Sequence, residues 1–591
     1  MSRGVAVPKP TGGGRPICIS SLFVKLMGLI CMERDATGVS HHQYAVGTKD
    51  GHTRIVHKVL DFVEHSRDAA VVRFDVSNAF GTMPRHIIKR ALQDTGESLK
   101  QYFRLVYGSP SDIAIYGQHS KFSFVKIADG VKQGDACSSY LFCVALDRAL
   151  GIAQAAMNEM GIAGALYAYM DDITICVSST NASKAADIMI SALERIGLKV
   201  NADKSKILTQ TQGVYSLPSV SHHEPFIVLG ANVAMSENAC RVYEEQLIVR
   251  SGKYFDILSN VALHPLLEFN LLKTCGAPRI RYHCGVTKHI HGLASFFDAQ
   301  VRKRVSWILD PSGELSIPHD KLFSKFGIGM PCYSAHHAAL FSNCKRMALS
   351  DDPDPVRMSL HIDSDPDDYA LSQVDAQYLF FDKADTISPA DFSTSLAMRL
   401  NILPQHLKLA GNKCNCGFIY NGDDSSTVEH ILKCDMSTPI THTTRHNMVR
   451  DAIVRHARTY GITTTKEPTI FTYKDGHKRR PDILFHTSPF SIAVDVTMIA
   501  TDRVLADAEK EKRNMHNEAC AKQQCVFYPF AMNSRGTLGK AAEELIKSLT
   551  KAIQPALHQI FAMELHHCVS VAAAKGRAHA LLAAVDRHAY W

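Results

Sequence analysis

Aspartates at the ends of strand-like runs can hold divalent cations, and this sequence places three of them so. In VVRFDVSNAF, period-two alternation sets Val72, Phe74 and Val76 on one strand face and Arg73 and Asp75 on the other, so Asp75 points away from the core. In YAYMDDITICV, two short strands meet at a tight turn that presents Asp171 and Asp172, while Ile173, Ile175 and Val177 turn inward. Carboxylates on adjoining strands suit a two-magnesium phosphoryl-transfer site, in which one ion activates a hydroxyl and the other neutralises the leaving pyrophosphate. Aspartate pairs also occur in turns for their own hydrogen bonding, so the pair alone leaves both readings open.

Two further groupings lie downstream. Cys414, Cys416, His430 and Cys434 form C-x-C followed by H-x3-C, a ligand set suited to tetrahedral zinc, although unrelated buried thiols would give the same residues. Asp482 in KRRPDILF is followed thirteen positions later by Asp495 in SIAVDVT, whose alternation buries Val494 and Val496 and leaves Asp495 on the other face. A charged helix, ADAEKEKRNMHNEACAK, supplies Lys512. Two carboxylates on a divalent metal and a lysine that orients or deprotonates water make a PD-(D/E)-x-K type of nuclease site. Lys510 is the alternative lysine and Glu467 an accessory acid, with His477–Arg480 as phosphate contacts. Helical lysines are also commonly just solvated.

These groups need several domains to position them, and 591 residues with 46% hydrophobic content can build them. Residues 1–235 alternate strand-like and helical runs, an α+β pattern, and residues 236–320 look helical. The helical part ends in FFDAQVRKRVSWIL, where Arg302, Lys303 and Arg304 read either as a solvated face or as a basic contact surface. Residues 321–395, with the acidic SDDPDPVRMSLHIDSDPDD, read as a linker region. The Cys/His segment occupies 396–450 and a mixed α/β segment 451–591. A net charge of +7 suits a phosphate-backbone partner without requiring one. Sixteen scattered cysteines indicate reduced thiols. The N-terminus lacks the apolar core of a signal peptide, and no uninterrupted apolar run is long enough to span a membrane, so a soluble protein is expected.

The ordered segments resemble the motifs of reverse transcriptases, specifically those of non-LTR retrotransposons. VPKPTGGGRPICIS and HHQYAVGTKDG resemble the fingers motifs, and FDVSNAF, GVKQGDACSSYLF, YMDD, GLKVNADKSK and FIVLG the five palm motifs in order. Two departures are DACSS, where many relatives have prolines, and Met170, where most non-LTR enzymes have alanine and retroviral enzymes methionine. The resemblance implies a multidomain right-hand polymerase of fingers, palm and helical thumb. Asp75, Asp171 and Asp172 would bind magnesium, and Phe80 would exclude a 2′-hydroxyl. Gln133 and Gly134 would line the nucleotide pocket, Lys9 and Arg15 would reach the triphosphate, Lys204 would protonate pyrophosphate, and Leu229 and Gly230 would hold the primer end. Arg302–Arg304 would follow the template-primer phosphates. VEHILKC, with THTTRHNMVRDAI after it, resembles the zinc knuckle of site-specific elements in insect ribosomal DNA and trypanosomatid spliced-leader genes, with an H-x3-C gap one residue shorter than in some of them. Those elements also carry a restriction-like endonuclease whose lysine is displaced to a helix.

The resemblance thus implies an RNA-directed DNA polymerase with a DNA-nicking endonuclease, performing target-primed reverse transcription with RNA template, target DNA and dNTPs as partners and magnesium and zinc as cofactors. It would act in the nucleus after translation in the cytoplasm. Relatives carry DNA-binding modules ahead of the polymerase, and whether this chain is part of a longer polyprotein is left open by the sequence. The alternatives are a non-enzymatic RNA-binding scaffold and a live polymerase with a dead nuclease. Decay removes metal-binding carboxylates first, and all five aspartates are present, which favours the enzyme.

Overall fold

The alternation in Ala69–Phe74 resolves as a central strand covered on both faces. Ala70, Val72 and Phe74 pack with the helices Ser138–Glu159 and Ala182–Arg195, whereas Ala69 and Val71 pack against Ile55, Val56 and Val59 of the helix Gly51–His65. The face expected to point away from the core is therefore itself buried along most of its length. Arg73 and Asp75 are half-buried at the open end of the strand. Each fully buried Val or Leu contributes roughly 1.5–3 kcal/mol relative to exposure, so this double cover fixes the strand firmly.

The computed structural model describes residues 2–8, 14–116, 122–211, 213–324, 327–350, 358–361, 387–434, 442–473, 479–499, 503–533 and 536–589. The chain divides into two units, Met1–Val249 with Tyr282–Leu293 and His336–Met358, and Arg250–Arg281 with Ala294–Ala335 and Ser359–Trp591. Both mix helices and strands.

In the first unit the strands are β1 (Ser2–Pro8), β2 (Gly14–Ile19), β3 (Ala69–Phe74), β4 (Ser111–Tyr116), β5 (Phe122–Ile127), β6 (Gly164–Tyr169), β7 (Asp172–Ser178), β8 (Lys206–Thr209), β9 (Ser219–Ser221), β10 (Ile227–Val228) and β11 (Ala231–Asn232). One sheet has the order β2-β1-β4-β5, a second β6-β7-β3-β8-β9, and β10 and β11 form a separate hairpin. β7 is antiparallel to both β6 and β3, with Tyr169 opposite Asp172 and Phe74 opposite Ile173. This register brings the end of β3 level with the β6–β7 turn.

The stretch 236–320 is helical as expected, with Glu237–Asn260, Pro265–Leu271, Ala277–Val286 and His291–Leu309. Its basic run is not the exposed face expected of it. Arg304 is buried, its guanidinium donating to the fully buried Glu268 carboxylate at 2.6 Å and lying 4.7 Å from the Trp307 ring centroid. Arg302 is half-buried, which leaves Lys303 as the exposed member of the three. Within 321–395, the helix Tyr333–Leu349 buries Leu340, Cys344 and Met347, and the helix Pro389–Leu400, which runs past the end of that range, buries Phe392, Leu396 and Met398. Most of the acidic run lies outside the described residues.

The second unit contains a four-stranded sheet of order β12 (Thr463–Lys466), β13 (Ile483–His486), β14 (Ser491–Ile499) and β15 (Cys525–Asn533). β13 and β14 are antiparallel, and β14 and β15 parallel. The parallel pair is joined by the helix Leu505–Lys522, an α/β crossover of the kind parallel strands require. The helices Ser138–Glu159 and 555–586 are long and apolar enough to cross a membrane, but 56% and 67% of their most apolar windows are buried inside the protein. Both read as core helices.

Candidate functional site

Two clusters of carboxylates and one of cysteines emerge from these elements. The first sits where β3 ends and the β6–β7 turn closes. Asp75 follows β3, its N–H donating to Ser205 Oγ at 3.0 Å and its carbonyl accepting from Asn201 N–H at 2.8 Å. The GLKVNADKSK segment thus pins the Asp75 backbone, which sequence reading had not assigned to it. At the turn, Met170 has φ of 55° and Asp172 opens β7. Asp172 reaches solvent, yet enclosure by surrounding protein raises its carboxyl above the usual range; Asp171 adds to this, Arg73 opposes it and Asp75 adds again. Mutually repelling carboxylates in one place are a donor set that divalent cations fit, because bound positive charge removes the repulsion.

Of the residues expected around this cluster, Leu229 and Gly230 share a cleft with Asp172. An open cleft of about 560 Å³ is lined by Asp172, Arg73, Tyr169, His52, Tyr282 and the Leu229–Gly230 turn. Leu229 and Gly230 both have positive φ, 48° and 84°, as a two-residue hairpin turn demands. Their carbonyls accept from Tyr282 Oη at 2.6 Å and Tyr243 Oη at 2.5 Å. Gly134 has φ of 102°, and a Cβ there would meet the Cys18 carbonyl at 2.5 Å, so only glycine passes beneath β2. Gln133 accepts at its carbonyl from Cys18 N–H at 2.6 Å. The Asp135 carboxylate after them accepts from Tyr102 at 2.5 Å and Tyr107 at 2.8 Å. Phe80 stacks on Phe142 with centroids 4.5 Å apart. Lys204 is exposed, with its carbonyl accepting from Arg73. Arg15 lies on β2 opposite Val7, and Lys9 falls outside the described residues.

In the second unit, Asp482 precedes β13 and Asp495 lies within β14, one step beyond the Ile483–Val494 pair, so the two are neighbours across the sheet. Lys512 Nζ is 2.6 Å from Asp495 Oδ2. Burial raises the Asp495 carboxyl, with Asp482 adding to the rise and Lys512 opposing it. Asp482 is held low: burial alone would raise it, but His446 and the Val496 N–H, which donates at 2.6 Å, outweigh that. The expected triad is thus assembled, and three residues that sequence reading missed surround it. His446 Nε2 is 2.9 Å from Asp482 Oδ2, His516 Nε2 is 3.7 Å from Asp495 Oδ1, and Tyr473 Oη is 2.5 Å from His516 Nδ1. Burial lowers His516 to about 4, which keeps it neutral. His516 was legible one helical turn after Lys512; His446, on the preceding helix, was not. Lys510 is exposed. Glu467 pairs with Arg450 at 2.8 Å, and its N–H donates to the Asp482 carbonyl. His477 and Lys478 are outside the described residues, while Arg479 and Arg480 are exposed.

The ligand atoms of Cys414, Cys416, His430 and Cys434 all lie within 4.8 Å of one another. Cys414 Sγ and Cys434 Sγ are 3.9 Å apart, and Cys416 Sγ and His430 Nε2 are 3.5 Å apart. A tetrahedron with metal–sulfur bonds of about 2.3 Å has edges of about 3.8 Å, so the four fit zinc. Phe418 stacks on His430 at 3.9 Å and orients the ring, and Asp423 caps the helix Asp424–Lys433 that carries it.

Residues 7–233 match the family described as reverse transcriptase (RNA-dependent DNA polymerase). Over 92% of its length the chain is 22% identical to the retrotransposable element SLACS 132 kDa protein of Trypanosoma brucei gambiense, of which it spans 47%. Over 94% of its length it is 23% identical to the retrovirus-related Pol polyprotein from type-1 retrotransposable element R2 of Popillia japonica, of which it spans 86%. Among solved structures it is similar to apo telomerase from Candida tropicalis, with 11% identity, a TM-score of 0.29 and coverage of 52% of this chain and 67% of that one.

Proposed function

We propose, on the premise that this chain carries the reverse transcriptase of a non-LTR retrotransposon, that it nicks target DNA and copies RNA into DNA from the freed 3′-hydroxyl. The convergence of Asp75, Asp171 and Asp172 beside the Leu229–Gly230 cleft carries the polymerase half of this reading. Magnesium held by these three carboxylates would neutralise the charge developing on the attacking and leaving oxygens. The chain's own residues do the rest. The Leu229–Gly230 turn, fixed by its two tyrosines, holds the primer end in reach of Asp172. Gly134 lets the segment that lines the nucleotide pocket pack closely beneath β2, and the exposed Lys204 meets the nucleotide's phosphates together with Lys9 and Arg15.

The endonuclease half rests on the contact of Lys512 with Asp495 next to Asp482. Asp482 and Asp495 would hold a divalent metal, and Lys512 would orient the attacking water. The protein works on chromosomal DNA in the nucleus after cytoplasmic translation. Its partners are an RNA template, target DNA and dNTPs. Extension of a primed RNA template and nicking of supercoiled plasmid read the two halves separately.

Phe80, which stacks on Phe142, would be the group that collides with a 2′-hydroxyl. The variant Phe80→Val is expected to incorporate ribonucleotides about tenfold to several hundredfold more readily, each tenfold being about 1.4 kcal/mol of discrimination. Unchanged dNTP preference would move the gate elsewhere.

Cys414, Cys416, His430 and Cys434 would bind zinc. Arg445, next to His446, donates to the Leu432 carbonyl at 3.0 Å, so loss of the metal loosens the approach to His446. Cys434→Ser is expected to lose about one zinc per chain and most nicking, while extension of a ready-made primer survives. Elemental analysis finding no zinc in the parent, or normal nicking by the variant, would count against this.

A further inference from the structure

The β6–β7 turn owes its shape to a residue from outside the sheet. Residues 42–45 run alongside β6 as a short parallel extension: Ala168 N–H donates to the His42 carbonyl at 2.7 Å, and Tyr44 N–H donates to the Ala168 carbonyl at 2.8 Å. His42 Nδ1 is 3.2 Å from the Leu166 carbonyl. The segment is anchored from behind as well, because the Ser40 N–H donates to Asp147 at 3.0 Å. This strip delivers one side chain to the turn, that of Gln43, which is 2% exposed.

The Gln43 amide meets both main-chain groups of Met170. Met170 N–H donates to Gln43 Oε1 at 2.9 Å, and Gln43 Nε2 donates to the Met170 carbonyl at 3.3 Å. Ala45 N–H donates to the same Oε1 at 3.2 Å, so two donors converge on that atom and fix which end of the amide is oxygen. Met170 is the turn residue with left-handed backbone, φ of 55°, a conformation that a side chain with Cβ avoids unless its surroundings impose it. A primary amide carries its acceptor and its donors on neighbouring atoms, so without carrying charge it can accept from the N–H and donate to the C=O of one residue at once.

We infer that Gln43 is a positioning residue of the polymerase: its amide holds Met170 in the left-handed conformation and thereby sets Asp171 and Asp172 side by side. It touches neither substrate nor metal. The inference rests on the reading of Asp171 and Asp172 as polymerase residues. Two properties follow. Loss of the amide lowers the rate of the chemical step while nucleotide and template still bind, because the cleft and hairpin that receive them are held by other contacts. Glycine at position 170, which takes positive φ without strain, relieves the need for the clamp.

The test is steady-state extension of a primed RNA template by the full chain carrying Gln43→Leu, Gln43→Glu, Met170→Gly, or Gln43→Leu with Met170→Gly. Gln43→Leu is expected to lower kcat by about tenfold to a hundredfold, with KM for dNTP and affinity for the primed template within about twofold of the parent. Gln43→Glu keeps the size and the acceptor but turns an acceptor toward the Met170 carbonyl, so it is expected to lose activity as well. It carries the test if Gln43→Leu does not fold. In the double variant, kcat is expected to recover to that of Met170→Gly alone. An unchanged kcat in both single variants at Gln43, a loss confined to KM, or a double variant no better than Gln43→Leu would overturn the inference. A parent that fails to extend the primer would instead sink the reading of the aspartates.

Discussion

Asp171→Asn and Asp172→Asn are each expected to lower cDNA synthesis by about a thousandfold or more, close to 4 kcal/mol of transition-state stabilisation, while plasmid nicking continues at the parental rate. The asparagine keeps the shape of the side chain and removes the charge that holds magnesium. For Asp172 the direction of its perturbation adds a second expectation. Enclosure and the neighbouring Asp171 raise its carboxyl, so the charged form is disfavoured in the folded protein. Replacing it with a neutral isostere therefore leaves the thermal midpoint of the metal-free protein unchanged or raises it. An activity lost together with folding would mean that Asp172 is structural. Activity lost with folding intact or improved is the signature of a functional carboxylate held against its own repulsion.

The converse experiment concerns the second unit. Asp482→Ala and Lys512→Ala are expected to reduce nicking by about a hundredfold to a thousandfold and to leave extension of a supplied primer unchanged. Asp482 also accepts the Val496 N–H at 2.6 Å, so alanine there strands a part-buried donor. Asp482→Asn, which keeps that acceptor, separates the loss of metal binding from the loss of a backbone contact. Lys510→Ala serves as the comparison, because Lys510 is exposed and makes no contact with the aspartates among the interactions described above. Nicking by Asp482→Ala at the parental rate would remove the endonuclease assignment and leave the polymerase untouched.

What could be read from the sequence was local. The alternation through Val72, Phe74 and Val76, and through Ile173, Ile175 and Val177, picked out six side chains that are all buried, but it missed that Val71, Thr174 and Cys176 between them are covered by the second layer as well. The Asp482 and Asp495 spacing was legible because a short antiparallel connection brings such positions into register. The features that escaped depend on partners far along the chain. Arg304 sits in a run of three charges that looks solvated, yet Glu268, thirty-six positions earlier, takes it inside. A buried pair of this sort is satisfied only as a pair, and nothing in the spacing of either residue announces it. His446 and Asp482 are likewise thirty-six positions apart, and Gln43 reaches Met170 across 127 positions. The basic run around Arg302 gives the practical lesson. Charge composition predicts exposure poorly when an acid elsewhere can be buried beside it.

The measurement that bears most directly on the central claim is extension of a DNA primer on an RNA template by the purified full chain with dNTPs, with and without magnesium, alongside Asp172→Asn. The account predicts full-length DNA product that requires both the RNA template and magnesium and that disappears in the variant. A folded parent that binds the primed RNA yet yields no product with magnesium, or a parent and Asp172→Asn that extend equally, would contradict it.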